Sequence, residues 1–115
     1  MGQITTHVLD TARGMPGSGI RVDLYRDGEQ RSHLKTVHTN ADGRTDEPLL
    51  GADAFGIGTY ELEFSVGDYF ARSGATTDDP PFLDRVTLRF TAGRDAQYHV
   101  PLLVSPWSYS TYRGS

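Results

Sequence analysis

The sequence contains no cysteine, which excludes a disulfide framework, a thiolate metal site and a cysteine nucleophile. Any metal would have to be held by histidine and carboxylate. No apolar run approaches the roughly 20 residues that span a bilayer, so a membrane is not an expected partner. A basic excess is missing too: 11 Lys and Arg stand against 15 Asp and Glu, a formal net charge of −4. Phosphate backbones are bound by clustered cations, so nucleic acid is not an expected partner either. The opening "MGQITTHVLD" lacks the basic and apolar regions of a secretory signal, and the expected location is cytoplasmic. "MGQITT" fits the permissive myristoylation pattern, but Ile4–Leu9 reads as a first strand and the fit is taken as coincidence. No P-loop, dinucleotide fingerprint or Ser-His-Asp spacing appears.

What the chain does have is alternation. In "TYELEFSV", Tyr60, Leu62, Phe64 and Val66 fall on one side and Thr59, Glu61, Glu63 and Ser65 on the other. "RVTLRF" and "IRVDLYR" repeat the pattern through Val86, Leu88 and Phe90 and through Ile20, Val22 and Leu24. Period-two patterning marks strands with one face on a core and one in water. Thirteen glycines and six prolines punctuate these runs, in "RGMPGSG", "NADGR", "FTAGRD" and "TTDDPP". Short strands between frequent turns predict an all-β sandwich. A single short helix is expected in "VGDYFARSG", with Asp68 at its start and Gly74 at its end. One domain is expected over residues 1–115, since the length suffices for one and not for two.

The strand "QYHVPLLV" departs from the simple pattern. Tyr98, Val100, Leu102 and Val104 can face the core, yet His99, Pro101 and Leu103 make the other face too apolar for open water. The terminal "SYSTYRGS" likewise has large groups on both sides, Tyr109 and Arg113 against Tyr112. Strands apolar on both faces are buried on both faces, which predicts an oligomer whose interface includes the last two strands.

Of the four histidines, His7 and His99 lie on the faces opposite the expected core. His7 shares its side with Thr5 and Leu9, against Ile4, Thr6 and Val8. Imidazole titrates near neutral pH, so both are candidates for proton transfer. Arg44, behind the "ADG" turn, can offer a planar fork to a carboxylate or enolate, though Asp42, Asp46 and Glu47 are alternative partners. Zinc held by His7, His99 and either His33 or His38 is conceivable, but no short ligand spacing supports it.

The segments "ITTHVLDTARGMPGSGIRVDLYR", "TNADGRTDEPLL", "PPFLDRVTLRF" and "YHVPLLVSPWSYSTYRGS" closely resemble the transthyretin-related 5-hydroxyisourate hydrolases, from Ile4 to Ser115. That resemblance implies a transthyretin-like sandwich of two four-stranded sheets with one short helix, assembled as a homotetramer with active sites between dimers. It also implies hydrolysis of 5-hydroxyisourate to 2-oxo-4-hydroxy-4-carboxy-5-ureidoimidazoline in urate catabolism, without metal or organic cofactor. Residue by residue, it gives catalytic roles to His7, Arg44, His99 and Ser115 and substrate contact to Tyr112, Arg113 and Gly114. Either histidine can be the base, with the other orienting it or protonating the leaving nitrogen. The Ser115 hydroxyl or carboxylate is expected against substrate or histidine, with the chain's end forming a wall of the site. The alternative is a transthyretin-like carrier that holds a planar small molecule in the same channel without turning it over.

Overall fold

The turn punctuation divides the chain into ten short strands and one helix. A computed structural model describes all residues from Met1 to Ser115. The strands are β1 (Gln3–Thr5), β2 (Val8–Asp10), β3 (Met15–Pro16), β4 (Arg21–Asp27), β5 (Arg31–His38), β6 (Gly58–Ser65), β7 (Arg85–Ala92), β8 (Gln97–His99), β9 (Leu102–Val104) and β10 (Tyr109–Thr111), with α1 at Val66–Ser73. One sheet has the order β5-β4-β6-β7 and the other β10-β9-β2-β3, while β1 pairs with β8.

The β1–β8 pair continues the second sheet. Gln3, Ile4 and Thr5 stand opposite Gln97, Tyr98 and His99, and Val8, Leu9 and Asp10 opposite Leu102, Leu103 and Val104. Both sets are parallel with one constant offset, and Val100 N–H to Thr5 O (2.9 Å) and Leu102 N–H to His7 O (2.9 Å) span the gap. Expected as single strands, Ile4–Leu9 and Gln97–Val104 are each broken in the middle. On the second, the break falls at Pro101, which has no N–H for a ladder.

Between the sheets lies one core of 20 buried apolar residues. Alternation selects them: Ile4 and Val8, Val22 and Leu24, Tyr60, Leu62 and Phe64, Val86 and Leu88, Tyr98 and Leu102 all point inward. Each such side chain contributes about 1.5–3 kcal/mol on burial. The outer face of the β4–β7 sheet carries Arg31 against Glu61 and Glu63, and Arg89 against Asp27. Those pairs are solvated and add little stability.

The helix leaves β6 without a loop, because Val66 continues the buried row. Asp68 lies inside its first turn instead of capping it, and Ser65 takes the cap position. Gly74 ends the helix at φ 76°, in the left-handed region that glycine adopts freely. The opposite face of the β9–β2 sheet is not open and polar: Pro101 is buried and Leu9 and Leu103 are half-buried.

Candidate active site

Residues opposite each other in a ladder share a face of the sheet, so the parallel register brings the Thr5 side chain beside that of His99. Ile4, Thr6 and Val8 are buried in the core. The outward positions are therefore Thr5, His7 and His99. Thr6 fixes the frame from below, its hydroxyl donating to Val100 O at 2.6 Å.

Arg44 reaches this face through the "NADGR" turn. The Asn40 side-chain oxygen accepts from the N–H groups of Asp42 (2.9 Å) and Arg44 (3.2 Å). Gly43 donates to Asn40 O at 2.9 Å, and its own carbonyl accepts from Val8 N–H at 2.8 Å. Gly43 has φ 75°, and a Cβ there would fall 2.4 Å from the Val8 carbonyl oxygen. Only glycine lets the turn press this close to β2. The result is a bridge pairing Arg44 with His7. His7 is tied to the same turn, Nε2–H donating to Asp42 O at 3.0 Å.

His99 is held from two sides. Its Nδ1 shares a 2.8 Å hydrogen bond with Thr5 Oγ1. Gly114 N–H donates to its carbonyl at 2.7 Å, and a Cβ on Gly114 would lie 2.6 Å from its Cδ2. The imidazole thus lies against bare backbone. Burial, then the nearby charges of Arg44 and His7, hold its pKa below the ordinary 6.5. A neutral imidazole beside a guanidinium can act as a base next to an oxyanion stabiliser. A hollow of about 170 Å³, lined in part by Thr5, Arg44 and Pro48, adjoins the cluster. It is smaller than the roughly 300 Å³ at which ligand pockets begin.

The terminal residues divide. Gly114 pairs with His99, and Arg113, one position earlier, is turned to the other side of β8. There its Nη2 donates to Gln97 O at 3.2 Å and its guanidinium lies 4.8 Å over the Tyr98 ring. Arg113 and Tyr112 line a separate cavity of about 430 Å³ at the sandwich edge between β7 and β10. Within one chain, these two do not meet His7 and His99. Ser115 follows Gly114 and is exposed. His33 and His38 lie on β5 in the other sheet, His33 bonded to Asp23 and Thr36, so a three-histidine ligand set with His7 and His99 does not form. Thr5 also joins this face, as the ladder partner of His99. Its place on the His7 side was legible in the sequence, whereas the register that sets it against His99 was not.

A model of the HIUase/Transthyretin family matches residues 4–114. The chain is similar to "5-hydroxyisourate hydrolase 2" of Rhizobium meliloti, 57% identical and covering 99% of this chain and 97% of the relative. Among solved structures, an (S)-allantoin synthase superposes with a TM-score of 0.93 at 48% identity over 99% of this chain, which spans only 44% of that longer protein. The 5-hydroxyisourate hydrolase of Klebsiella pneumoniae superposes with a TM-score of 0.83 at 36% identity, each chain covered in full.

Proposed function

The chain belongs to the HIUase/transthyretin family, and from that premise we infer that it hydrolyses 5-hydroxyisourate at the His7, Arg44 and His99 face. The product is 2-oxo-4-hydroxy-4-carboxy-5-ureidoimidazoline, a step in urate catabolism. The observation that carries this reading is the convergence of two imidazoles and a guanidinium on one outer face, with His99 biased toward its neutral form.

In the proposed reaction His99 takes a proton from water as the oxygen attacks a ring carbonyl of the substrate. Arg44 stabilises the charge that develops on the carbonyl oxygen, a contribution worth about 100- to 1,000-fold per donor. As the ring C–N bond breaks, the leaving nitrogen takes a proton from His7 or from His99 itself. The water oxygen ends in the new carboxylate, and its two protons are divided between the departing nitrogen and solvent. Gly114 gives the His99 ring its seat, and the Ser115 hydroxyl borders the substrate. Arg113 acts from behind β8 by bracing the segment that carries His99, through Gln97 O and the Tyr98 ring. No step calls for a metal or organic cofactor, because the residues above supply base, acid and charge stabilisation.

A homotetramer in the cytoplasm completes the proposal. The hollow beside Arg44 is too small for a bicyclic substrate, so a second subunit would supply the missing wall. The half-buried Leu9 and Leu103 on the outer face suit such an interface. A chain without cysteine needs no oxidising compartment.

The carrier alternative makes a different prediction. With 5-hydroxyisourate in large excess, an enzyme turns over many equivalents per chain, read as loss of ultraviolet absorbance. Depletion that stops at one equivalent per site would favour the carrier instead.

A further inference from the structure

Thr5 is the one polar side chain that grips a ring nitrogen of His99. Its Oγ1 lies 2.8 Å from Nδ1, and the contact follows from the ladder, where Thr5 and His99 are direct partners. A β-branched residue in a strand has few rotamers, and the Thr5 backbone is pinned by Val100 N–H to Thr5 O at 2.9 Å. The hydroxyl is therefore placed by both strand and rotamer. The other ring nitrogen, Nε2, makes no hydrogen bond within the chain and is the one left for substrate. We propose that Thr5 is a positioning residue, accepting a hydrogen bond from Nδ1–H of His99 and so presenting an unprotonated Nε2 as the base.

The proposal deepens the hydrolase reading and rests on it for the role of His99. A neutral imidazole has one proton for two nitrogens, and only the Nδ1–H tautomer leaves a lone pair at the free position. A hydroxyl oxygen accepts that bond equally in the neutral ring and in the imidazolium formed after proton uptake. The ring can then cycle between the two states with no change of partner. Arg44 and His7 are the other charged or titratable groups acting on the ring. Neither performs this task, since His7 Nε2 is committed to Asp42 O.

Two variants and one spectroscopic measurement test it. In wild-type protein labelled with ¹⁵N-histidine, His99 should show a protonated Nδ1 and an unprotonated Nε2 at neutral pH; the reverse assignment overturns the proposal. Thr5→Val keeps the shape and removes the acceptor. It should lower kcat about tenfold, the loss of one ordinary hydrogen bond, while KM stays nearly constant and His99 shows mixed tautomers. Thr5→Ser restores the hydroxyl and should recover most of kcat. Wild-type kcat in Thr5→Val, or no recovery in Thr5→Ser, overturns the positioning role. If wild-type protein failed to hydrolyse 5-hydroxyisourate, the function would fall, but the nitrogen signals of wild type and Thr5→Val would still decide the tautomer.

Discussion

His99 is an imidazole whose pKa is held below the ordinary 6.5, first by burial and then by the nearby Arg44 and His7. A general base must be neutral to accept a proton, so kcat/KM should fall only as pH drops through its lowered pKa, below 6.5. Arg44→Met removes one of the depressing charges and should move that acid limb to higher pH, while also lowering kcat. A pH–rate profile of both proteins checks this, and an unmoved limb would separate Arg44 from His99. The same shift acts on folding. In the window between the lowered pKa and 6.5 the unfolded chain binds more protons than the folded one, so this contribution to stability rises with pH and is lost on acidification. Gly114→Ala tests the seat of the ring. The added Cβ would sit 2.6 Å from Cδ2, so His99 must shift, and a misplacement of this kind should cost about ten- to a hundredfold in kcat.

Strands and turns were the legible part of the sequence. Alternation in β4, β6 and β7 gave their inward residues, because period two is imposed by the pleat and by a one-sided core. Gly74 announced the end of the helix. The break within Gln97–Val104 was legible in Pro101, which has no N–H for a ladder, whereas the break within Ile4–Leu9 was not, because it depends on how two segments 94 positions apart are paired. Proximity of His7, Arg44 and His99 was suggested by family resemblance and not by spacing. Only the parallel register and the Gly43 turn give it a physical cause. The alternation also hid the division of the terminal residues, since it could not show that Gly114 pairs with His99 and turns Arg113 toward Tyr98.

A second element-scale feature joins β2 to the helix. Asp10 is fully buried and accepts from Tyr69 O–H at 2.7 Å, Ala12 N–H at 3.0 Å, and Arg13 N–H and Nε–H at 3.2 Å each. Burial, then the neighbouring Asp10 carboxylate, pushes the Tyr69 pKa upward, which keeps its proton in place as a donor. Tyr69→Phe should cost about 1–2 kcal/mol in urea unfolding with turnover unchanged, because Asp10 faces the core and His7 faces outward. Loss of turnover without loss of stability would contradict that separation.

At the scale of the whole molecule, the proposed site has only a hollow of about 170 Å³ beside Arg44 within one chain, so the proposal calls for a second subunit. Phe82 and Trp107 stack on each other at 6.1 Å and remain 67% and 49% exposed, surface that assembly would cover. Sedimentation should give a mass four times that of the chain, and activity per chain should fall at dilutions where the assembly separates. A fully active monomer would remove the need for a second subunit. The central claim is that the outer face bearing His7, Arg44 and His99 is where 5-hydroxyisourate is opened, and His99→Ala addresses it most directly. With substrate generated in the cuvette from urate and urate oxidase, wild-type protein should accelerate the absorbance decay and a folded His99→Ala should lose about 100-fold or more of that acceleration. Equal acceleration by the two proteins would contradict the account.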